Sequence, residues 1–397
     1  MIRAIRVALV VAWWATACPA PPAGALSPPV VDPGRLPVAA RPVPPGPTTQ
    51  LAPCVTPVAG VAHGVDLAAL SGFSRGAGQR IAVIDTGVNH DPRLTHLDGG
   101  GDYVSTGDGT QDCDGHGTAV AGIVADIAPA ATLLAIRQST VKFGATGDPA
   151  GSGYGDVDTM ARAVRTAADA GATVINISAV ACASGPLHDA ALGAALAYAV
   201  DVRNAVVVAA AGNAGGCPAQ DPGDGELSWA QATVAVSPAW YDDYVLTVGS
   251  LDEAGRPSAF TQPGPWVDVA APGENMVPGA PSEVPVSGTS YAAPVVSGVV
   301  ALLRAHSPGL TARQVMQRIR ATAHGPTGQR SALVGYGAVD PVAALHGSPP
   351  AGPAPVAAPP RTGHSRLVAV IGAAVCAAVT ALTLGVLTLI GRSRRRQ

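Results

Sequence analysis

Four short apolar runs constrain this chain more than any other feature. Residues 80–85 (Arg-Ile-Ala-Val-Ile-Asp), 131–137, 172–178 and 205–211 are rich in Val, Ile, Leu and Ala. Each reads as a strand buried on both faces, the habit of parallel sheets. Helical stretches alternate with them, one opening at His116 and one over residues 157–170. That alternation argues an α/β domain, with a mostly parallel central sheet and helices on both faces. Further strands are expected at 245–250 and 267–270, a short helix at 65–71, and a helix at 311–321 with Thr311 as its N-cap. Residues 335–340 close the domain.

In open α/β sheets, sites form at the carboxyl ends of the strands. Asp85 ends the first run, just before Thr86-Gly87. On that motif alone it reads equally well as a turn-capping acid. His116 stands between Gly115 and Gly117 at the start of a helix of small residues. This is a poor place for core packing and a good one for an open cleft. Of nine histidines, it alone has such a context. Asn213 follows the run 205–211 in a glycine turn, where its amide is a ready donor or simply tolerates a left-handed backbone. Ser290 lies in Pro285-Val-Ser-Gly-Thr-Ser-Tyr-Ala-Ala-Pro294, behind Gly288, where a helix begins. Pro294 is expected in the first turn, where its missing N–H costs nothing. The positive helix end favours a neighbouring anion and so suits a nucleophile, although an N-cap is the commoner use of such a serine.

The ends of the chain carry membrane signals. Residues 1–25 read as a secretory signal: Arg3 and Arg6, an apolar run over 7–14, then Ala15-Thr-Ala17 and Ala23-Gly-Ala25 as cleavage candidates. Residues 26–64 form a Pro-, Val- and Ala-rich arm, extended and floppy unless Cys54 ties it down. The main domain covers 65–346, and a Pro/Ala/Gly spacer covers 347–366. Residues 367–390 are 24 residues without a charge, long enough to span a bilayer. Arg392, Arg394, Arg395 and Arg396 follow, so residues 391–397 are expected to stay cytoplasmic and the body to lie outside.

Of six cysteines, Cys18 falls in the signal and Cys376 in the span. A lipidated Cys18 would want a leucine three residues before it, and Ala15 stands there. Cys54, Cys113, Cys182 and Cys217 remain, which suggests two disulfides with three pairings open. A net charge of −3 with 13% charged residues gives no sign of a nucleic-acid surface. No metal or cofactor is expected. Asp98, Asp102 and Asp108 lie near one another, but their glycine-rich stretch reads as a solvated loop rather than a calcium site.

Asp85, His116 and Ser290 occur in the chain order of the subtilisin type. With Ile84-Asp-Thr-Gly87, Gly115-His-Gly-Thr118, Ala211-Gly-Asn213 and Gly288-Thr-Ser-Tyr-Ala-Ala-Pro294, residues 79–344 resemble a subtilisin-like serine protease. The resemblance implies a three-layer subtilisin-like fold and acyl transfer. Ser290 would attack, His116 would carry the proton, Asp85 would orient the imidazole and Asn213 would stabilise the oxyanion. It further implies two segments, Gly151, Ser152 and Gly153 with Ser178, Ala179 and Val180, that flank an extended peptide as added strands.

The signal, the proline-rich arm, the C-terminal span with its basic tail and the cysteine layout more closely resemble the mycosins. These are membrane-anchored subtilisin-like proteases of type VII secretion. That resemblance implies bonds Cys54–Cys113 and Cys182–Cys217, and a single-pass cell-membrane enzyme with its protease domain on the extracytoplasmic side. Its implied partners are protein or peptide substrates and a type VII secretion membrane complex. The alternative is a structural component of that complex, with catalysis secondary.

Overall fold

The computed structural model describes residues 25–44, 46–56, 58–148, 151, 153–223, 225–276, 285–325 and 330–347. The expected signal up to residue 24, the spacer beyond 347, the membrane span and the basic tail lie outside these. So do Cys18, Cys376 and Ser152. Among the described residues no helix is long and apolar enough to cross a membrane.

In chain order, β1 (Thr48–Gln50) is followed by α1 (Leu67–Ser71), β2 (Arg80–Asp85) and β3 (Leu97–Asp102). Next come α2 (His116–Ile127), β4 (Thr132–Arg137), β5 (Phe143–Ala145) and α3 (Val157–Asp169). Then follow β6 (Val174–Ile177), β7 (Ala181–Ser184), α4 (Ala190–Ala197) and β8 (Val206–Ala210). β9 (Val234–Ser237), β10 (Val245–Leu251) and β11 (Val267–Pro272) precede α5 (Thr289–His306), α6 (Ala312–Thr322) and α7 (Pro341–His346).

Seven strands form one sheet in the order β11-β10-β8-β6-β2-β4-β3, and every neighbouring pair is parallel. The consecutive residues Ile81, Ala82, Val83 and Ile84 are all 0% exposed, so both faces of β2 are covered. α2 packs with α5 and on β2, while α5 also lies over β6, β8 and β10. α3 packs with α4 and on β2, β4 and β6. Because β2, β6 and β8 run the same way, their carboxyl ends open to one edge, where Asp85 and Asn213 stand.

The helix starts follow from local chemistry. Asp156 and Thr159 close a capping box at α3, and Thr311 does the same with Gln314 at α6. β2 keeps the bounds of its apolar run and β4 begins one residue later, while β6 and β8 are one or two residues shorter at each end than their runs. The paired ribbons β1–β5 and β7–β9 and the alanine-rich helix α4 carry little sequence signal.

Two expectations are corrected. Residues 97–102 are an edge strand paired to β4, not a solvated loop, and Asp102 is 0% exposed. Its Oδ1 accepts from the N–H groups of Val104 and Ser105, each at 2.7 Å. The glycines permit this. A Cβ on Gly100 would stand 2.7 Å from the Ile136 side chain, and one on Gly101 2.3 Å from Pro42. Second, α5 begins at Thr289, which puts Pro294 in the second turn. Its absent N–H would have bonded the Ser290 carbonyl. The Ser178 hydroxyl donates to that carbonyl instead, at 2.8 Å.

The arm is held by more than Cys54. Leu26 is buried and its N–H donates to the Ala232 carbonyl (2.9 Å). Arg93 donates to the carbonyls of Ala59 and Gly60 (2.9 and 3.0 Å). Gly60 and Gly122 meet backbone to backbone: a Cβ on Gly122 would lie 2.3 Å from the Gly60 nitrogen. The arm therefore packs on the helix that begins with His116.

Candidate active site

Asp85 is the last residue of β2 and is 1% exposed. Its Oδ1 accepts from the Thr86 N–H (2.7 Å) and from His116 Nδ1 (2.7 Å). A carboxylate only accepts, so the neutral imidazole carries its proton on Nδ1 and presents a lone pair at Nε2. The His116 side chain keeps 29% of its surface exposed, enough for a cleft-facing base.

The glycines around His116 set its distance from β2. Gly115, at φ 83°, is the N-cap of α2 in the left-handed region. A Cβ on Gly117 would stand 2.0 Å from the Gly87 carbonyl oxygen and 3.0 Å from the Asp85 Cβ. Any other residue would push the helix start away from the end of the strand.

Asp112, which is 4% exposed, gathers this corner. Its Oδ1 accepts from Thr86 Oγ1 (2.9 Å), the Gly115 N–H (2.8 Å) and the Asp114 N–H (3.1 Å). Its Oδ2 accepts from the Thr118 N–H (2.9 Å) and Oγ1 (2.6 Å). Burial raises its pKa, against the pull of the Thr118 and Gly115 hydrogen bonds. Sequence reading passed over Asp112. The available signal was an acid just ahead of a helix start, where free N–H groups need acceptors.

Burial is the largest single influence on His116 and lowers its pKa. The Asp85 charge and hydrogen bond, then the charges of Asp112 and Asp114, outweigh it, and the net shift is upward from 6.5. Tyr291 tilts its ring 5.3 Å from the His116 ring. Burial, then Asp85 and Asp112, push the Tyr291 pKa up to about 12, so its hydroxyl stays protonated at neutral pH.

Ser290 is the second residue of α5, directly before Tyr291, and is 7% exposed. Asn213 lies just past the end of β8. Its Oδ1 accepts from the Thr289 N–H and Oγ1, each at 3.0 Å. This fixes the amide with Nδ2 on the Ser290 side. A Cβ on Gly288 would lie 3.0 Å from Ser290 Oγ and 3.3 Å from Asn213 Nδ2. Glycine keeps the space between hydroxyl and amide free.

The two expected substrate segments divide in role. Ala179 and Val180 line a cleft of about 210 Å³ with Gln138, Ser139, Gly155 and Met160. Ser178 is not among its walls: its hydroxyl accepts from Asn176 Nδ2 (3.0 Å) and donates to the Ser290 carbonyl. Ser297 in turn donates to Asn176 Oδ1 (2.8 Å), so a buried polar chain runs under α5. Gly151 is exposed, and Gly153 lies against the Thr140 carbonyl, which a Cβ would approach to 2.3 Å.

Cys54 is joined to Cys113, three residues before His116, and Cys182 to Cys217. The Cys217 N–H donates to the Asn213 carbonyl (3.0 Å), so the second bond ties β7 to the asparagine turn. Among the described residues no group of three or more His, Cys, Asp or Glu is placed to hold a metal ion.

The pattern of the Subtilase family (Peptidase_S8) matches residues 76–337. Mycosin-4 of Mycobacterium tuberculosis (strain ATCC 25618 / H37Rv) is 53% identical, across 92% of this chain and 91% of its own. Mycosin-3 of the same organism is 42% identical across 99% of both. The MycP3 protease from the type VII (ESX-3) secretion system superposes with a TM-score of 0.72 at 42% identity, covering 81% of this chain and 100% of its own. A chain of an intact ESX-5 inner membrane complex does so with a TM-score of 0.70 at 37% identity, covering 91% and 100%. With identity sustained over nearly the whole length of its relatives, the chain is a serine endopeptidase of the subtilase family and, within it, belongs to the mycosins.

Proposed function

We propose that Asp85, His116 and Ser290 act as a catalytic triad. Ser290 Oγ attacks the scissile carbonyl as His116 Nε2 takes its proton. Asn213 Nδ2 and the Ser290 N–H, at the positive end of α5, stabilise the oxyanion. His116 then protonates the leaving amine, and water cleaves the acyl-enzyme by the same route. Asp85 keeps the imidazole in the tautomer that leaves Nε2 free. The observation that carries this reading is the Asn213 amide. Its oxygen is committed to Thr289, and its nitrogen faces the same small space as Ser290 Oγ. Extended protein segments are the substrates, with one side chain reaching the cleft between Val180 and Gly155.

The reading extends to location. Residues 367–390 would anchor the protein, with the arginine tail in the cytoplasm and the protease domain on the extracytoplasmic face. A type VII secretion membrane complex would be its partner. Likeness to chains of the ESX-5 inner membrane complex and its periplasmic assembly supports this.

The test is labelling of the membrane fraction with a fluorophosphonate, wild type beside Ser290→Ala. Labelling that vanishes in the variant supports an assembled triad, and folded wild-type protein that never labels would sink it. A second reading, a structural role in the complex, draws on the arm being pinned by Cys54–Cys113 and packed on α2. Secretion that continues in Ser290→Ala would favour it.

A further inference from the structure

The loop in front of His116 is fastened to the substrate side of the cleft by one carboxylate. Asp114 stands two residues before His116. Its Oδ1 accepts from the Val141 N–H at 2.8 Å, and its Oδ2 accepts from Thr140 Oγ1. Thr140 exchanges two backbone hydrogen bonds with Tyr154, at 2.8 and 2.7 Å. Gly153 lies directly on the Thr140 carbonyl. At the other end of this segment, the N–H groups of Gln138 and Ser139 donate to the Asp85 carbonyl (2.8 and 3.3 Å).

Residues 138–141 therefore join three things: the carbonyl of the triad acid, the loop that carries the triad base, and the edge formed by Gly153 and Tyr154. The loop is also held from behind. Cys113 is bonded to Cys54, and its carbonyl accepts from the Val55 N–H at 3.0 Å. The back of the loop is thus fixed to the arm, its Asp114 and Gly115 N–H groups are held by Asp112, and the Asp114 side chain is its tie to Thr140 and Val141.

We propose that Asp114 is a positioning residue, coupling occupancy of the Gly153–Tyr154 edge by an extended peptide to the alignment of His116. It rests on the triad reading above and adds to it a dependence of the chemical step on substrate length. A peptide laid as a strand along that edge orders Thr140 and Val141, and Asp114 passes the order through Gly115 to the imidazole. A substrate too short to reach the edge gains nothing from it. Asp114 acts through the backbone and touches no reacting atom.

The experiment compares two phosphorus probes on the full-length protein. One is a small alkyl fluorophosphonate, and the other a diphenyl phosphonate carrying an alanine-rich tetrapeptide. Maximal inactivation rates are measured at saturating probe. Asp114→Ala should slow the tetrapeptidyl probe roughly tenfold, the scale of one lost charge-assisted contact acting on alignment, and leave the small probe within about twofold. Asp114→Asn should keep the wild-type rates, because its amide oxygen still accepts from Val141 and its NH₂ can donate to the Thr140 hydroxyl. Thr140→Val, which loses one of the two contacts without changing shape, should fall between.

Equal slowing of both probes in Asp114→Ala would overturn the proposal, since it would mean general damage at His116. So would Asp114→Asn matching Asp114→Ala, because charge rather than contact would then be at work. Unchanged rates in all three variants would remove any role for Asp114. Wild-type protein inert to the small probe would overturn the triad reading itself, a separate and visible failure.

Discussion

The Ser178 hydroxyl donates to the main-chain carbonyl of Ser290 across 2.8 Å, and Pro294 is the reason that carbonyl is free. A proline in the second turn removes the N–H that would have closed the helical bond. The orphaned acceptor is buried, so it needs a partner. Ser178, on the segment beyond β6, provides one, and its place is fixed by Asn176 and Ser297. Ser178→Ala should cost about 1–3 kcal/mol of stability, the range for a buried acceptor left unmet. Urea unfolding would measure that loss. The rate of fluorophosphonate labelling should fall with it, because the carbonyl left unsupported belongs to Ser290, the proposed nucleophile.

Gly117→Ala probes the closeness of α2 to β2. The added methyl would meet the Gly87 carbonyl oxygen at 2.0 Å, and backbone there has no room to yield. Overpacking of this kind costs about 1–3 kcal/mol or more. The expected result is a lower melting temperature, with labelling lost even in the fraction that stays folded, since Asp85 and His116 are forced apart. A variant with wild-type melting and labelling would contradict the contact.

The pH dependence follows from the direction of the His116 shift. As the proposed base, His116 would work only when neutral, and Asp85 with its neighbouring acids makes it hold its proton more tightly than a free imidazole does. Labelling should therefore fall as pH drops through a midpoint above the ordinary value of 6.5. Asp85→Asn removes the largest raising influence. Its midpoint should move down, and its rate should fall by about 10⁴, the scale seen when a triad aspartate loses its charge. A midpoint that stays put in Asp85→Asn would deny Asp85 its part.

Asn213→Ala separates transition-state stabilisation from binding. Loss of one oxyanion donor costs about 10²–10³ in turnover. KM for a peptide substrate should change little, because in the proposed role the amide would meet the oxyanion rather than the ground-state carbonyl. A large rise in KM with kcat intact would instead make Asn213 a binding residue.

Much of the frame was legible because its signals are local. A strand buried on both faces shows itself as an unbroken apolar run, and β2, β4, β6 and β8 did so. Glycines mark close approach at some turns, and those beside His116 and Ser290 do: Gly117 meets the Gly87 carbonyl, and Gly288 lies between Ser290 Oγ and Asn213 Nδ2. What stayed hidden depends on partners far apart in the chain. Ser178 and Ser290 are separated by 112 positions, and Thr289 and Asn213 by 76. Asp102 looked like part of a solvated loop until an edge strand of glycines slid under Pro42 and Ile136. The arm, without periodicity of its own, takes its order from β5, Arg93 and the backbone of α2. Residue types and their spacing determined which chemistry this chain could carry. Only the tertiary structure decided which buried donor meets which acceptor, because a hydrogen bond is set by position in space and leaves no period in the sequence.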